Sequence, residues 1–189
     1  AMRLPVAHLT ESALRNLSPA QFSAFRNALI ATVGADEKIE WFEWCLLRVI
    51  LDPIEREHTE WEPAHISIYN IRGAEQEAKD LLRLMVISGH DSSKAQAAVW
   101  HNNLTYMYQK HWPQGRHPSI TSWHDQTNTR PISEVLEALS CCSMNARRDV
   151  LLILSRALGH DGKVTVAEAE LFAALVAALD APAAPILAS

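Results

Sequence analysis

Four carboxylates in this 189-residue chain stand at matched spacing near its two ends. Residues 34–44 read GADEKIEWFEW and residues 159–170 read GHDGKVTVAEAE, so Glu43 follows Asp36, and Glu168 follows Asp161, at the same interval of seven. Carboxylate oxygens in such number suit a hard divalent cation, Ca²⁺ or Mg²⁺. The spacing is not that of an EF-hand, whose third position wants an oxygen ligand where this chain has Lys38 or Lys163. The same residues also suit a turn between two helices. Gly159 stands where a helix ends and a left-handed residue is favoured, and Thr165 with Glu168 has the spacing of a capping box. Val164 is placed to staple the new helix, and Asp161 to accept amides of its own turn. The turn explains more of these residues, and a divalent cation on Asp36, Glu43, Asp161 and Glu168 is the alternative.

The elements that must position these acids are helical. Apolar residues recur at helical spacing over about 6–16, 19–33, 39–52, 74–88, 92–111, 132–142, 146–158 and 165–180, which predicts seven to eight helices. Ser18-Pro19-Ala20-Gln21 supplies an N-cap, a first-turn proline and a capping-box glutamine, and Asp91 or Ser92 caps the helix over 92–111. The helix after the first acidic turn is expected to stop near Asp52-Pro53, because a residue before proline is pushed out of the helical region. No stretch alternates with period two between turn signals, which argues against a sheet. A long interruption, about 112–131, is rich in Pro, Gly, Ser, Thr and Asn, and loops of that length are functional or mobile.

A shift of 125 positions aligns more than the acids. Phe25 falls on Val150, Leu29 on Leu154, Val33 on Leu158, Gly34 on Gly159 and Lys38 on Lys163. After the turn, Leu46 falls on Leu171, Leu47 on Phe172, Ile50 on Leu175 and Leu51 on Val176. This register predicts a duplicated helix-turn-helix hairpin, about 19–52 and 146–180, inside a single all-helical domain spanning 3–189. Each hairpin has an apolar face to cover, so the two are expected to pack about a pseudo-twofold axis with the middle helices completing the core. The copies differ at the turn, where Glu37 and Glu40 of the first match Gly162 and Thr165 of the second.

Composition narrows the function. A formal charge of −5 without a basic stripe argues against nucleic acid. The longest apolar runs, WCLLRVIL at 44–51 and LFAALVAAL at 171–179, are too short to span a membrane. Three cysteines, two of them adjacent, fit a reducing compartment and read as small buried apolar residues. Histidines 101, 111, 117 and 124 surround the long loop at separations that match no zinc ladder. Neither HExxH, GxSxG nor a glycine-rich phosphate loop is present, so no catalytic set is expected in these residues. The acidic run EREHTEWEP at 55–63, with Trp61 inside it and Trp41 and Trp44 beside the first turn, reads as a solvated face or as a docking surface for a basic partner helix.

The two acidic turns resemble the duplicated acidic helix-turn-helix of tellurite-resistance protein B and its relatives, the TerB-like fold. That resemblance implies an all-α bundle whose matching Asp and Glu positions are associated with metal binding. LTESALRNLSPAQFSAFRNALIATVGADEKIEWFEWCLLRVI, LLRLMVISGHDSSKAQAAV, PISEVLEAL and DGKVTVAEAELFAALVAALDAPAAPIL are similar to the cytoplasmic C-terminal region of bacterial membrane-anchored Zn-dependent proteases with chaperone function. Ala1-Met2 reads as a tag scar joined to a start codon; the resemblance implies that Arg3 is the cut edge of a larger protein and that the zinc site lies in another part of the parent. The chain is then a non-catalytic accessory or interaction domain on the cytoplasmic side of the inner membrane. Its partner would be the rest of the protease or another protein.

Overall fold

The computed structural model describes residues 13–33, 47, 50–51, 54–55, 64–113, 116–125, 130–158, 160 and 162–180. Six α-helices run through them: α1 (Pro19–Val33), α2 (Glu75–Gly89), α3 (Ser93–His111), α4 (Ile132–Ser140), α5 (Met144–Leu158) and α6 (Val166–Ala178). Short 3-10 turns, Ile71–Ala74 and Trp123–Asp125, precede α2 and α4. The described residues contain no strand, and their only bridge pairs Ile68 with Cys142. The expectation of an all-helical chain is met at that level.

Local chemistry sets most helix starts. Ser18 Oγ accepts from Gln21 N while Gln21 Oε1 accepts from Ser18 N, so α1 opens with its expected capping box. Ser92 caps α3 by accepting from Ala95 N at 3.2 Å. Three boundaries shift for visible reasons. α4 ends at Ser140 rather than 142 because Cys142 turns away to pair with Ile68. α5 starts at Met144 rather than 146, with Ser143 Oγ accepting from Ala146 N. Beyond the stop expected at Asp52-Pro53, Ile54 and Glu55 are again helical, and Ile54 is fully buried. The predicted helix over 6–16 lies mostly outside the described residues, and the last helical position seen there is Leu14.

The main core is built on α2 and α5. α2 packs on α3, α4, α5 and α6, while α5 also meets α3 and α6. Leu81, Leu82, Trp100, Leu104, Met107, Leu139, Val150, Ile153, Leu154, Leu171, Phe172 and Leu175 are essentially inaccessible to water. Each such side chain contributes about 1.5–3 kcal/mol by leaving water. Arg147 ties this core off at one end: its Nε, Nη1 and Nη2 donate to the carbonyls of Cys142, Leu179 and Ser140 at 2.9, 3.0 and 3.1 Å. Those oxygens belong to the ends of α4 and α6, where intrahelical donors run out.

The described residues of the segment expected to form the first hairpin pack differently. Its described residues bury Phe22, Leu47, Leu51 and Ile54 in a small cluster of their own, flanked by Leu14, Leu17, Phe25 and Leu29. None of these described residues belongs to the main core cluster. Among the described residues, α5 packs on α2 and α3, and α6 packs on α2.

Candidate functional site

The second acidic turn leads into α6. Thr165 Oγ1 accepts from Glu168 N at 3.2 Å, while Glu168 Oε2 accepts from Thr165 N at 2.8 Å and from Thr165 Oγ1 at 2.7 Å. The predicted capping box is present, and it holds the Glu168 carboxylate at 3 % exposure. Gly162, with φ 72°, supplies a left-handed residue in the turn. Val164 remains 42 % exposed, so the expected staple covers it only partly. Glu168 is the one predicted metal ligand among the described residues. Asp36, Glu43 and Asp161 lie outside them, as do Gly159 and the proposed docking residues Trp41, Trp44 and Trp61.

A feature missed in the sequence lies against this box. A Cβ on Gly89, at the end of α2, would stand 2.1 Å from Glu168 Oε1, so the carboxylate occupies the space that glycine leaves open. The ring of His90, the residue after Gly89, meets that of His160 edge-on, their centroids 6.4 Å apart. The available signal was the tripeptide Gly-His-Asp, written at 89–91 and again at 159–161. Buried carboxylate, glycine and two imidazoles make a turn-to-turn contact that fixes α2 against α6.

The charged face of α2 forms the other polar centre. Arg130, from the end of the long loop, donates to Asp80 Oδ2 at 2.8 Å and to Glu77 Oε1 at 2.9 Å. Burial works against the Arg130 cation, but these two carboxylates outweigh it and its pKa is raised. One turn away, Glu75 accepts from Lys79 Nζ and from the Tyr108 hydroxyl. Burial, the largest influence, pushes the Tyr108 phenol up; it opposes the Lys79 ammonium, whose bonds to Glu75 and Tyr108 more than compensate. His117 stacks on Tyr108 with centroids 5.5 Å apart, and Arg83 lies over Trp123 at 4.8 Å. The long loop is thus packed on α2 and α3 through its described residues.

No family model, curated protein or solved structure matches this chain. The chemistry therefore rests on the residues themselves. Among the described residues no group of three His, Cys, Asp or Glu side chains is placed to hold a metal ion. His101, His117 and His124 are exposed. His111 instead faces Asp149 across α3 and α5, Nδ1 to Oδ2 at 3.7 Å, with Nε2 buried and without a partner. Burial lowers the His111 pKa, against the pull of Asp149. Burial also pushes the Cys142 thiol up to about 11, which makes it an inert core residue rather than a nucleophile. No described helix is long and apolar enough to cross a membrane.

Proposed function

We propose that this chain is a non-catalytic accessory domain with a TerB-like arrangement of two related hairpins. It regulates, or docks proteins for, a membrane-anchored zinc peptidase on the cytoplasmic side of the membrane. The observation that carries this reading is a match of helix bounds. α1 and α5 are each 15 residues long, and Pro19–Val33 shifted by 125 positions gives Met144–Leu158. A shared frame of that kind is what duplication of a hairpin leaves behind. Glu168 supports docking over ion sensing, because its carboxylate is buried and engaged by Thr165.

Calorimetric titration of this chain with the detergent-solubilised peptidase portion tests the reading. A saturable heat, weakened by Trp61→Ala or Trp44→Ala, is expected; its absence refutes the docking role. Titration with Ca²⁺ and Mg²⁺ separates the competing ion-sensor reading. A saturable rise in Tm abolished by Asp36→Asn with Asp161→Asn would establish a cation site, while no rise is expected from a turn held by capping alone.

A further inference from the structure

Charge is sorted among the helices of this fold. α4 and α6 carry four carboxylates, Glu134, Glu137, Glu168 and Glu170, and no lysine or arginine. α3 and α5 reverse that balance, with five cations, Lys94, Lys110, Arg147, Arg148 and Arg156, against the single carboxylate of Asp149. These two helices pack on each other. The middle of their seam has a fixed geometry. Arg156 Cζ of α5 lies 3.8 Å from the centre of the Tyr106 ring of α3, and Lys110 Nζ, one turn further along α3, lies 5.7 Å from the same centre. Two like charges are therefore held on one ring, no further apart than those two distances together. Neither forms an ion pair among the described residues. Arg147 is committed to the carbonyls at the ends of α4 and α6, and Asp149 faces His111. Lys110, Arg148 and Arg156 are exposed, so a chain of formal charge −5 presents a cationic seam to solvent.

We propose that the seam between α3 and α5, centred on Tyr106, Lys110 and Arg156, docks an acidic segment of a partner protein. Complementary charge selects the partner: a Glu- or Asp-rich segment is attracted to this seam and a basic one is repelled. The residue types suit an interface, because arginine and tyrosine carry a large share of binding energy where proteins meet. The guanidinium offers a planar fork to one carboxylate, and the ammonium beside it takes another as a point charge. Packing against the Tyr106 ring holds the arginine in place before a partner arrives, which lowers the cost of ordering it. The size of the seam decides between kinds of anion. Nucleic acid and an anionic bilayer spread their charge well beyond one seam, and so meet the net negative charge of the rest of the chain. A short acidic segment meets only the cations. This surface uses none of the tryptophans invoked for docking above, and it does not depend on the peptidase reading.

The test is fluorescence anisotropy of the labelled acidic peptide EEDLDEE titrated with the whole chain at low ionic strength. Saturable binding that weakens as salt is added is expected, with no binding of the basic peptide KKRLRKK. Arg156→Gln should weaken binding of the acidic peptide about tenfold. Lys94→Gln removes the same charge from α3 about 24 Å along the helix from Lys110, and should change the affinity by less than about twofold. Lys110→Gln alters an exposed side chain and should weaken binding about threefold, so it decides the matter if Arg156→Gln fails to fold. Phosphatidylserine vesicles and a DNA duplex are titrated in parallel and should bind more weakly than the peptide. Equal losses from Arg156→Gln and Lys94→Gln would reduce the effect to net charge and overturn the proposal. So would a lack of saturation, binding of the basic peptide, or tighter binding to vesicles or duplex.

Discussion

The two segments matched by the shift of 125 positions carry the same helical pattern, and their described residues stand in different surroundings. In the second, Val150, Leu154 and Leu175 are fully buried in the main core. Their counterparts in the first, Phe25, Leu29 and Ile50, are half-buried beside a cluster of four residues. Phe22 of that cluster corresponds to Arg147, whose guanidinium grips the ends of two helices. A shared apolar frame thus fixes where helices form, while the neighbours decide how much each helix stabilises. Among the described residues the second segment is the more deeply buried of the two.

The sharpest way to break this comparison is to truncate one matched pair. Leu154→Ala should cost about 2–5 kcal/mol, whereas Leu29→Ala should cost about 1 kcal/mol, both read from urea unfolding. Equal losses would mean that both hairpins share one core. The contact between turns comes next. Gly89→Ala drives Glu168 out of its capping box and should cost about 1–2 kcal/mol, but almost nothing once Glu168→Ala has already removed the box. Additive losses in that double-mutant cycle would separate the glycine from the cap. Gly162→Ala should cost about 1 kcal/mol, since it forces a Cβ into the left-handed region where open space gives no other penalty.

A pH effect follows from His111. Burial holds its pKa below the ordinary value of 6.5, so the unfolded chain binds the proton more readily. Stability should be full above about 6.5 and fall as pH drops towards the lowered folded pKa. His111→Gln should flatten that part of a melting-temperature profile. The smallest effect is expected in the first hairpin, where Glu55→Gln removes the exposed pair with Arg26 at 2.6 Å and should cost under about 1 kcal/mol.

Much of the helical framework was legible because its signals are local. Ser18, Pro19 and Gln21 announce α1, Ser92 announces α3, and Thr165 with Glu168 announces α6, each within a single turn. The register between Leu29 and Leu154 needed only a comparison of the chain with itself. The polar centres were hidden for the opposite reason. Arg130 reaches Asp80 across fifty positions, and Trp100 reaches Thr121 across twenty-one, so no window of sequence contains both partners. Likewise the sequence shows four imidazoles around a loop, yet only the fold reveals that His111 turns to Asp149 while His117 lies on Tyr108.

Arg147 couples events that the chain separates by nearly forty positions. Its three nitrogens hold the carbonyls of Ser140, Cys142 and Leu179 together, so the ends of α4 and α6 cannot fray independently without stranding part of one guanidinium. In native-state hydrogen exchange the last amides of these two helices should open as one cooperative unit rather than as two loose ends.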